Sequence, residues 1–276
     1  MTIKELYDYT VKKLYFSDSA DFETQCLFED LLGFSKSQIL FNNNEAYENQ
    51  IKIIEEAITR RSNGEPLQYI LGKWDFYDMT FYVGKGVLIP RPETEMLVDI
   101  ALDFLKNKEN PIIYDLCSGT GCIGLTIAKH LKNSKVYLFE KEKSAYTYLE
   151  KNLKKYDLSN AEIINCDIFT YDKKSLPKCD VLISNPPYIE SDLIASLQKE
   201  VKNEPISALD GGADGLDFYR EICRNWVQSI KKNGMAVFEC GENQTELIKT
   251  IFKDVSVDSK VYFDFNHIDR IVSFII

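Results

Sequence analysis

From residue 111 onward the chain alternates short, apolar, β-branched runs with segments at helical spacing, and this alternation restricts it to a largely parallel sheet covered by helices. Strands are expected at 111–117, 135–140, 161–167, 179–185, 234–240, 257–265 and 269–276, with helices centred on 121–132, 143–155 and 216–231. The pattern predicts an α/β, Rossmann-like, doubly wound sheet of seven strands whose ligand crevice lies at the carboxyl ends of its strands. Only Asn266-His267-Ile268 separates the last two strands, so they should form an antiparallel hairpin at one edge.

The first part of the chain reads differently. Residues 1–63 carry helical spacing on three faces: Ile3, Leu6, Tyr7, Val11 and Leu14; Phe22, Cys26, Leu31 and Leu32; then Tyr47, Ile51, Ile54 and Ile58. Gly64 and Pro66 supply a stop signal. A small helical bundle over 1–72, suited to recognition or docking, is therefore expected. Short aromatic-rich stretches around Tyr77-Asp78 suggest a β-hairpin in a linker over 73–90. The remaining residues, 91–276, form the expected catalytic domain, opening with a helix that carries Met96, Leu97, Ile100, Ala101 and Phe104.

Composition narrows the chemistry. Net charge is −10 and no long Lys/Arg block is present, which argues against a stable nucleic-acid partner, since that affinity comes mostly from basic residues. Seven cysteines form no CxxC pair, as in a reduced, cytoplasmic compartment rather than a disulfide framework. The first residues begin an amphipathic pattern and not a signal peptide, and no apolar run approaches membrane-spanning length. Two distant histidines, His130 and His267, provide no metal site and no Ser/His/Asp arrangement. Nothing demands a dimer, so a monomer is expected.

Four strand tips carry the residues that matter. The first ends in Asp115-Leu116-Cys117-Ser118-Gly119-Thr120-Gly121-Cys122-Ile123-Gly124, a GxGxxG turn, and Glu140 closes the next strand about 20 residues on, as a ribose-binding acid does. The turn alone does not distinguish a dinucleotide from S-adenosylmethionine. Asp115 favours the latter, because an acid there suits a methionine ammonium group and repels a pyrophosphate. Asp167 beside apolar Ile168 suits the amino edge and flat ring of adenine. The fourth tip is Asn185-Pro186-Pro187-Tyr188. Each proline fixes its own φ and biases the residue before it toward extended backbone. The Asn185 amide oxygen and the Pro186 carbonyl can then converge on the hydrogens of one NH2 group, with Tyr188 offering a flat face beside it.

The chain resembles the peptide chain release factor glutamine N5-methyltransferases, the HemK/PrmC family. The resemblance is carried by Glu65 to Gly72, Val87 to Glu95, Asp115 to Gly121, Asn185 to Tyr188, Leu209 to Gly212 and Asp214 to Leu216. It implies a class I S-adenosylmethionine-dependent methyltransferase fold behind a helical N-terminal domain, with S-adenosylhomocysteine as product. It also implies a substrate, the glutamine of the Gly-Gly-Gln loop of release factors. On this resemblance Asp115, Cys117, Ser118, Gly119, Thr120 and Gly121 hold the methionine part of the cofactor, Glu140 the ribose, and Asp167 with Ile168 the adenine. Asn185, Pro186, Pro187 and Tyr188 receive the glutamine, with Asn185 also beside the cofactor. Two positions depart from the family pattern: Glu140 replaces a more usual aspartate, and Ile168 stands where relatives can carry an aromatic. Alternative readings are glutamine methylation of a ribosomal protein, N6-adenine methylation of DNA or RNA, and a non-catalytic dinucleotide-binding module.

Overall fold

The computed structural model describes residues 1–41 and 44–276; the helical expectation at Asn42 and Asn43 lies outside the described residues. The chain divides into two compact units, Met1–Lys73 with Gln198–Asn203, and Trp74–Leu197 with Glu204–Ile276. The helical unit thus takes in a short stretch from far along the chain, beyond the expected 1–72.

In the helical unit, α1 (Ile3–Lys13) starts at a capping box. Thr2 Oγ1 accepts from the Glu5 N–H at 3.2 Å, and Glu5 Oε2 accepts from the Thr2 N–H at 2.8 Å. Ile3, Leu6, Tyr7 and Leu14 of the expected face are buried. Next come α2 (Ala20–Leu27), prolonged by a wider turn over Phe28–Leu32, then α3 (Lys36–Phe41), α4 (Glu48–Ser62) and α5 (Leu67–Leu71). The second expected face is rotated: Phe22 is 54% exposed, while Glu23 is buried. A charge-pairing partner explains the rotation. Arg61, buried on α4, donates from Nε to Glu23 Oε2 at 2.7 Å and from NH2 to Glu23 Oε1 at 3.0 Å. Its NH2 also lies 2.9 Å from a Glu200 oxygen, and Asn203 Nδ2 donates to the Gly64 carbonyl at 2.9 Å. On the third face Ile54 and Ile58 are buried, but Tyr47 caps α4 and is exposed.

The larger unit opens with the expected hairpin, β1 (Lys73–Phe76) and β2 (Met79–Tyr82), turning through Tyr77 at φ 58°. It continues with α6 (Glu95–Leu105), β3 (Ile112–Leu116), α7 (Cys122–His130), β4 (Lys135–Glu140), α8 (Lys143–Tyr156), β5 (Ala161–Asn165) and β6 (Cys179–Ser184). After α9 (Asp217–Glu221) come β7 (Ile230–Glu239), α10 (Thr245–Phe252), β8 (Asp258–Phe263) and β9 (Asp269–Ile275). The strands form one sheet of seven in the order β5-β4-β3-β6-β7-β9-β8. β3 to β7 run parallel and β9 pairs antiparallel with both β7 and β8, so the edge hairpin is present. α10 was not among the expected helices, and β7 begins at Ile230, inside the expected helix 216–231.

Successive strand residues face opposite sides, and both sides are buried, which is why these strands read as unbroken apolar runs. Ile113, Val136, Leu138, Val181, Ile183 and Val237 pack with Leu97, Ala101, Leu125 and Leu149. Their neighbours Tyr114, Leu116, Phe139, Leu182 and Phe238 pack on the other side with Tyr219, Trp226, Ile248 and Phe252. The chain begins in the middle at β3, steps outward to β4 and β5, and returns to β6 on the other flank. The reversal falls between β3 and β6, where an α/β sheet opens a crevice at its carboxyl edge.

The buried Glu23–Arg61 pair yields a test of the helical unit. Arg61→Ala removes the charged partner of the Glu23 carboxylate, leaving it the Ser17 hydroxyl that donates to Oε1 at 2.7 Å, and should cost about 3–5 kcal/mol. Combined Glu23→Gln and Arg61→Met substitutions should recover most of that loss. Hydrogen exchange of α2 and α4 amides measures it; a loss below about 1 kcal/mol in the single variant removes the pair as the reason Glu23 is buried.

Candidate active site

A cleft of about 460 Å³ opens at the carboxyl ends of β3, β4 and β6, a size suited to a nucleoside-sized ligand. Cys117, Ser118, Gly119 and Thr120 line it from the first turn, Glu140 from the second strand tip, Asp167 and Ile168 from beyond β5, and Asn185 and Pro187 from beyond β6. Gly86 to Pro90, from the expected linker, and Arg91 form a wall of the cleft. That wall is fixed by Glu204, a buried carboxylate that accepts from the Ile89 N–H at 3.0 Å and pairs with Arg91.

The turn after β3 uses left-handed backbone at Cys117 (φ 59°), Gly119 and Gly121. Gly121 must be glycine: its φ is 81°, and a Cβ would stand 2.3 Å from Leu149 Cδ1. This tight turn brings the Gly119 N–H to Glu140 Oε2 at 2.8 Å, while Glu140 Oε1 accepts from the Glu142 N–H at 2.7 Å. Burial raises the Glu140 pKa against these backbone donors. Each carboxylate oxygen keeps a lone pair for an incoming hydroxyl. Burial also works against ionisation of Asp167, but the Phe169 N–H at 3.0 Å and Lys141 at 2.9 Å hold its pKa below the ordinary value. Ile168 is buried against the cleft, its carbonyl tied by Trp226 Nε1 at 2.9 Å.

Asp115 and Gly121 do not line the cleft. Asp115 lies fully buried behind the turn, where Oδ2 accepts from the Gly124 N–H at 3.0 Å and Oδ1 has no hydrogen-bond partner among the described residues. Its carboxyl therefore braces the turn from behind and does not form part of the cleft wall. Burial pushes its pKa up to about 7.

At the other end of the cleft, Asn185 Nδ2 donates to Thr94 Oγ1 at 3.2 Å, and Thr94 Oγ1 donates to Glu239 Oε2 at 2.5 Å. Pro186 and Tyr188 are absent from the cleft lining. The Tyr188 hydroxyl points instead to Glu239 Oε1, 3.4 Å away, so its ring is not the exposed flat face expected. The backbone of this segment is braced from behind. Gln244 Nε2 donates to the Tyr188 carbonyl at 2.9 Å, the Gly211 N–H donates to the Ile189 carbonyl at 2.8 Å, and a Cβ on Gly215 would lie 2.3 Å from the Tyr188 oxygen. The glycines at 211–215 thus back the asparagine segment.

Thr94, Glu204, Glu239 and Gln244 were missed by sequence reasoning. Glu239 had a legible signal, an acid closing the apolar run Met235 to Phe238 as Glu140 closes its own strand. Thr94 sits inside the block 87–95, but nothing in the chain marks it apart from its neighbours. Among the described residues no group of His, Cys, Asp and Glu is arranged to hold a metal ion, and no helix is long and apolar enough to cross a membrane.

The Asp115 carboxyl has a consequence for stability. A carboxyl whose folded pKa is raised favours the folded state in its protonated form. That contribution is complete below the unfolded value and disappears as pH rises through about 7. Wild-type Tm should therefore fall more steeply between about pH 5 and pH 8 than that of Asp115→Asn, by calorimetry of the apo proteins. Parallel slopes refute a proton held at Asp115.

Comparison with known proteins places this geometry. A family model described as the PrmC N-terminal domain matches residues 5–72, and one described as a methyltransferase small domain matches residues 94–211. A protein of Thermodesulfovibrio yellowstonii named release factor glutamine methyltransferase is 38% identical over 233 residues, covering 83% of this chain and 82% of its own length. One of the same name from Clostridium acetobutylicum is 36% identical over 245 residues, covering 86% of this chain and 85% of its own length. Among solved structures, the hMettl16 catalytic domain in complex with MAT2A 3'UTR hairpin 1 aligns with a TM-score of 0.58 over 84% of this chain and 82% of its own, at 12% identity, a likeness of fold alone. With that fold, that cleft and relatives of this identity along most of its length, the chain belongs to the release factor glutamine methyltransferase family.

Proposed function

We propose that the protein transfers a methyl group from S-adenosylmethionine to the side-chain amide nitrogen, N5, of the glutamine in the Gly-Gly-Gln loop of a peptide chain release factor. One observation carries this reading. Asn185 lines the cleft with its Nδ2 committed inward to Thr94, so its Oδ1 remains as an acceptor on the cleft side. An acceptor there suits a substrate that brings N–H groups, which a glutamine amide does.

The residues present fit the cofactor. Glu140 offers two oriented oxygens to vicinal hydroxyls, and Val87, Phe139 and Ile168 give apolar wall to a flat base. Cys117 to Thr120 present turn backbone to the amino-acid part, with Asp115 buried behind them and holding the Gly124 N–H. Bound there, S-adenosylmethionine supplies an electrophilic methyl group on a sulfonium.

An amide nitrogen is a poor nucleophile because its lone pair is shared with the carbonyl. Asn185 Oδ1 accepts a hydrogen of the target NH2, which orients the amide face toward the methyl group. The same oxygen stabilises positive charge as it develops on nitrogen. Bound S-adenosylmethionine would supply the methyl group and leave as S-adenosylhomocysteine, and the methylated nitrogen would lose its extra proton to solvent. Among the described residues no histidine lines the cleft to act as a base. The helical unit, with Tyr15, Phe41 and Tyr47 exposed, is assigned to recognition of the release factor.

Asn185→Ala should lower the methylation rate by ~10² or more with purified release factor and labelled S-adenosylmethionine, as removal of one oriented transition-state partner does. Offering adenine-containing DNA and RNA in parallel reactions separates the nucleic-acid alternative. Near-normal turnover of the variant, or label in nucleic acid and none in release factor, rejects the assignment.

A further inference from the structure

The hydrogen bonds behind Asn185 hold a chemical decision. Thr94 has one hydroxyl proton, and Glu239 is buried with its Oε2 2.5 Å from the Thr94 oxygen. An ionised carboxylate can only accept, so the Thr94 proton must go to it. The Thr94 oxygen is then left as an acceptor toward Asn185, and only the Nδ2 end of the amide can meet it, as observed at 3.2 Å. A protonated Glu239 reverses the direction: it donates to Thr94, whose own proton turns toward Asn185 and now selects Oδ1. The amide would rotate and present Nδ2, a donor, to the incoming NH2. Two donors facing each other cannot bind.

We infer that Thr94 and Glu239 are positioning residues that set which end of the Asn185 amide faces the acceptor, and that protonation of Glu239 switches the site off. This inference rests on the glutamine-methylation reading for its kinetic consequence, but not for its hydrogen-bond logic.

The surroundings of Glu239 make its proton consequential. Facing the carboxyl are the Thr94 hydroxyl, the Tyr188 hydroxyl at 3.4 Å, and the charges of Glu93 and Arg270. Cys122, Cys240 and Tyr219 lie within electrostatic range, and the Tyr219 hydroxyl donates to the Glu239 main-chain carbonyl at 2.7 Å. Burial is the dominant influence, with Glu93 acting in the same direction and Thr94, Arg270 and Asn185 against it; the pKa is raised to about 7. The switch therefore falls within the working pH range, with the ionised, active arrangement above it.

The test has two arms. In the first, the side-chain NH2 resonances of Asn185 in selectively labelled apo protein, identified by their loss in Asn185→Asp, are followed against pH. They should titrate with a midpoint near that of Glu239 in wild type and stay constant in Glu239→Gln. In the second, kcat for release factor is measured. Thr94→Val should lose roughly 10- to 100-fold in kcat through misorientation, Thr94→Ser should retain most activity, and the acid limb of the wild-type kcat profile should vanish in Glu239→Gln. An acid limb that persists in Glu239→Gln, unchanged kcat in Thr94→Val, or Asn185 resonances indifferent to Glu239 overturns the inference. If wild type leaves release factor unmethylated while the resonances behave as expected, the substrate reading fails and the hydrogen-bond switch stands.

Discussion

Thr94, Asn185 and Glu239 come from a turn before α6, the tip of β6 and the tip of β7, and they meet in hydrogen bonds at the base of the cleft, with Thr94 and Glu239 buried. A carboxylate buried in this way is costly, and a well-packed apolar residue would be easier to accommodate. What the acid supplies in return is direction. Hydroxyls and amides have two faces that differ in donor and acceptor character, and a group that can only accept sets the polarity of every bond downstream of it. The acceptor end of the cleft depends on that imposed polarity.

The cofactor end is organised by a related logic with a different outcome. Glu140 is also buried and also sits at a strand tip, but it receives two backbone N–H groups and keeps lone pairs turned to the cleft. Asp115 receives one N–H from the start of α7 and keeps an unpartnered oxygen behind the turn. The three acids therefore differ in what they bond: Glu140 takes two loop N–H groups beside the cleft, Asp115 one N–H behind the turn, and Glu239 a neighbouring hydroxyl.

Much of this was legible in the chain because parallel strands buried on both faces leave long apolar runs, and a charged residue ending such a run stands out. Glu140 was found in this way, and Glu239 could have been. Asn185 to Tyr188 were legible because two successive prolines after a strand are uncommon. The role of Tyr188 was not, since ring direction depends on Glu239, some 50 residues later in the chain. The rotation of α2 was hidden for the same kind of reason: Glu23 is buried in place of Phe22, and its charged partner Arg61 lies 38 residues away. Thr94 could not be singled out at all, because a threonine at a helix start is ordinarily a cap. Its other partners are far away in sequence.

The stretch Gln198–Asn203 belongs with the helices although it is encoded deep within the larger unit. Arg61 and Gly64 depend on Glu200 and Asn203 for part of their bonding. A fragment ending at Lys73 would thus lack part of its own unit. Exchange of this amino-terminal region between homologous genes faces the same obstacle. A recombinant that imports new helices must also import a matching fragment encoded more than a hundred codons downstream, so the two are expected to be inherited as a pair.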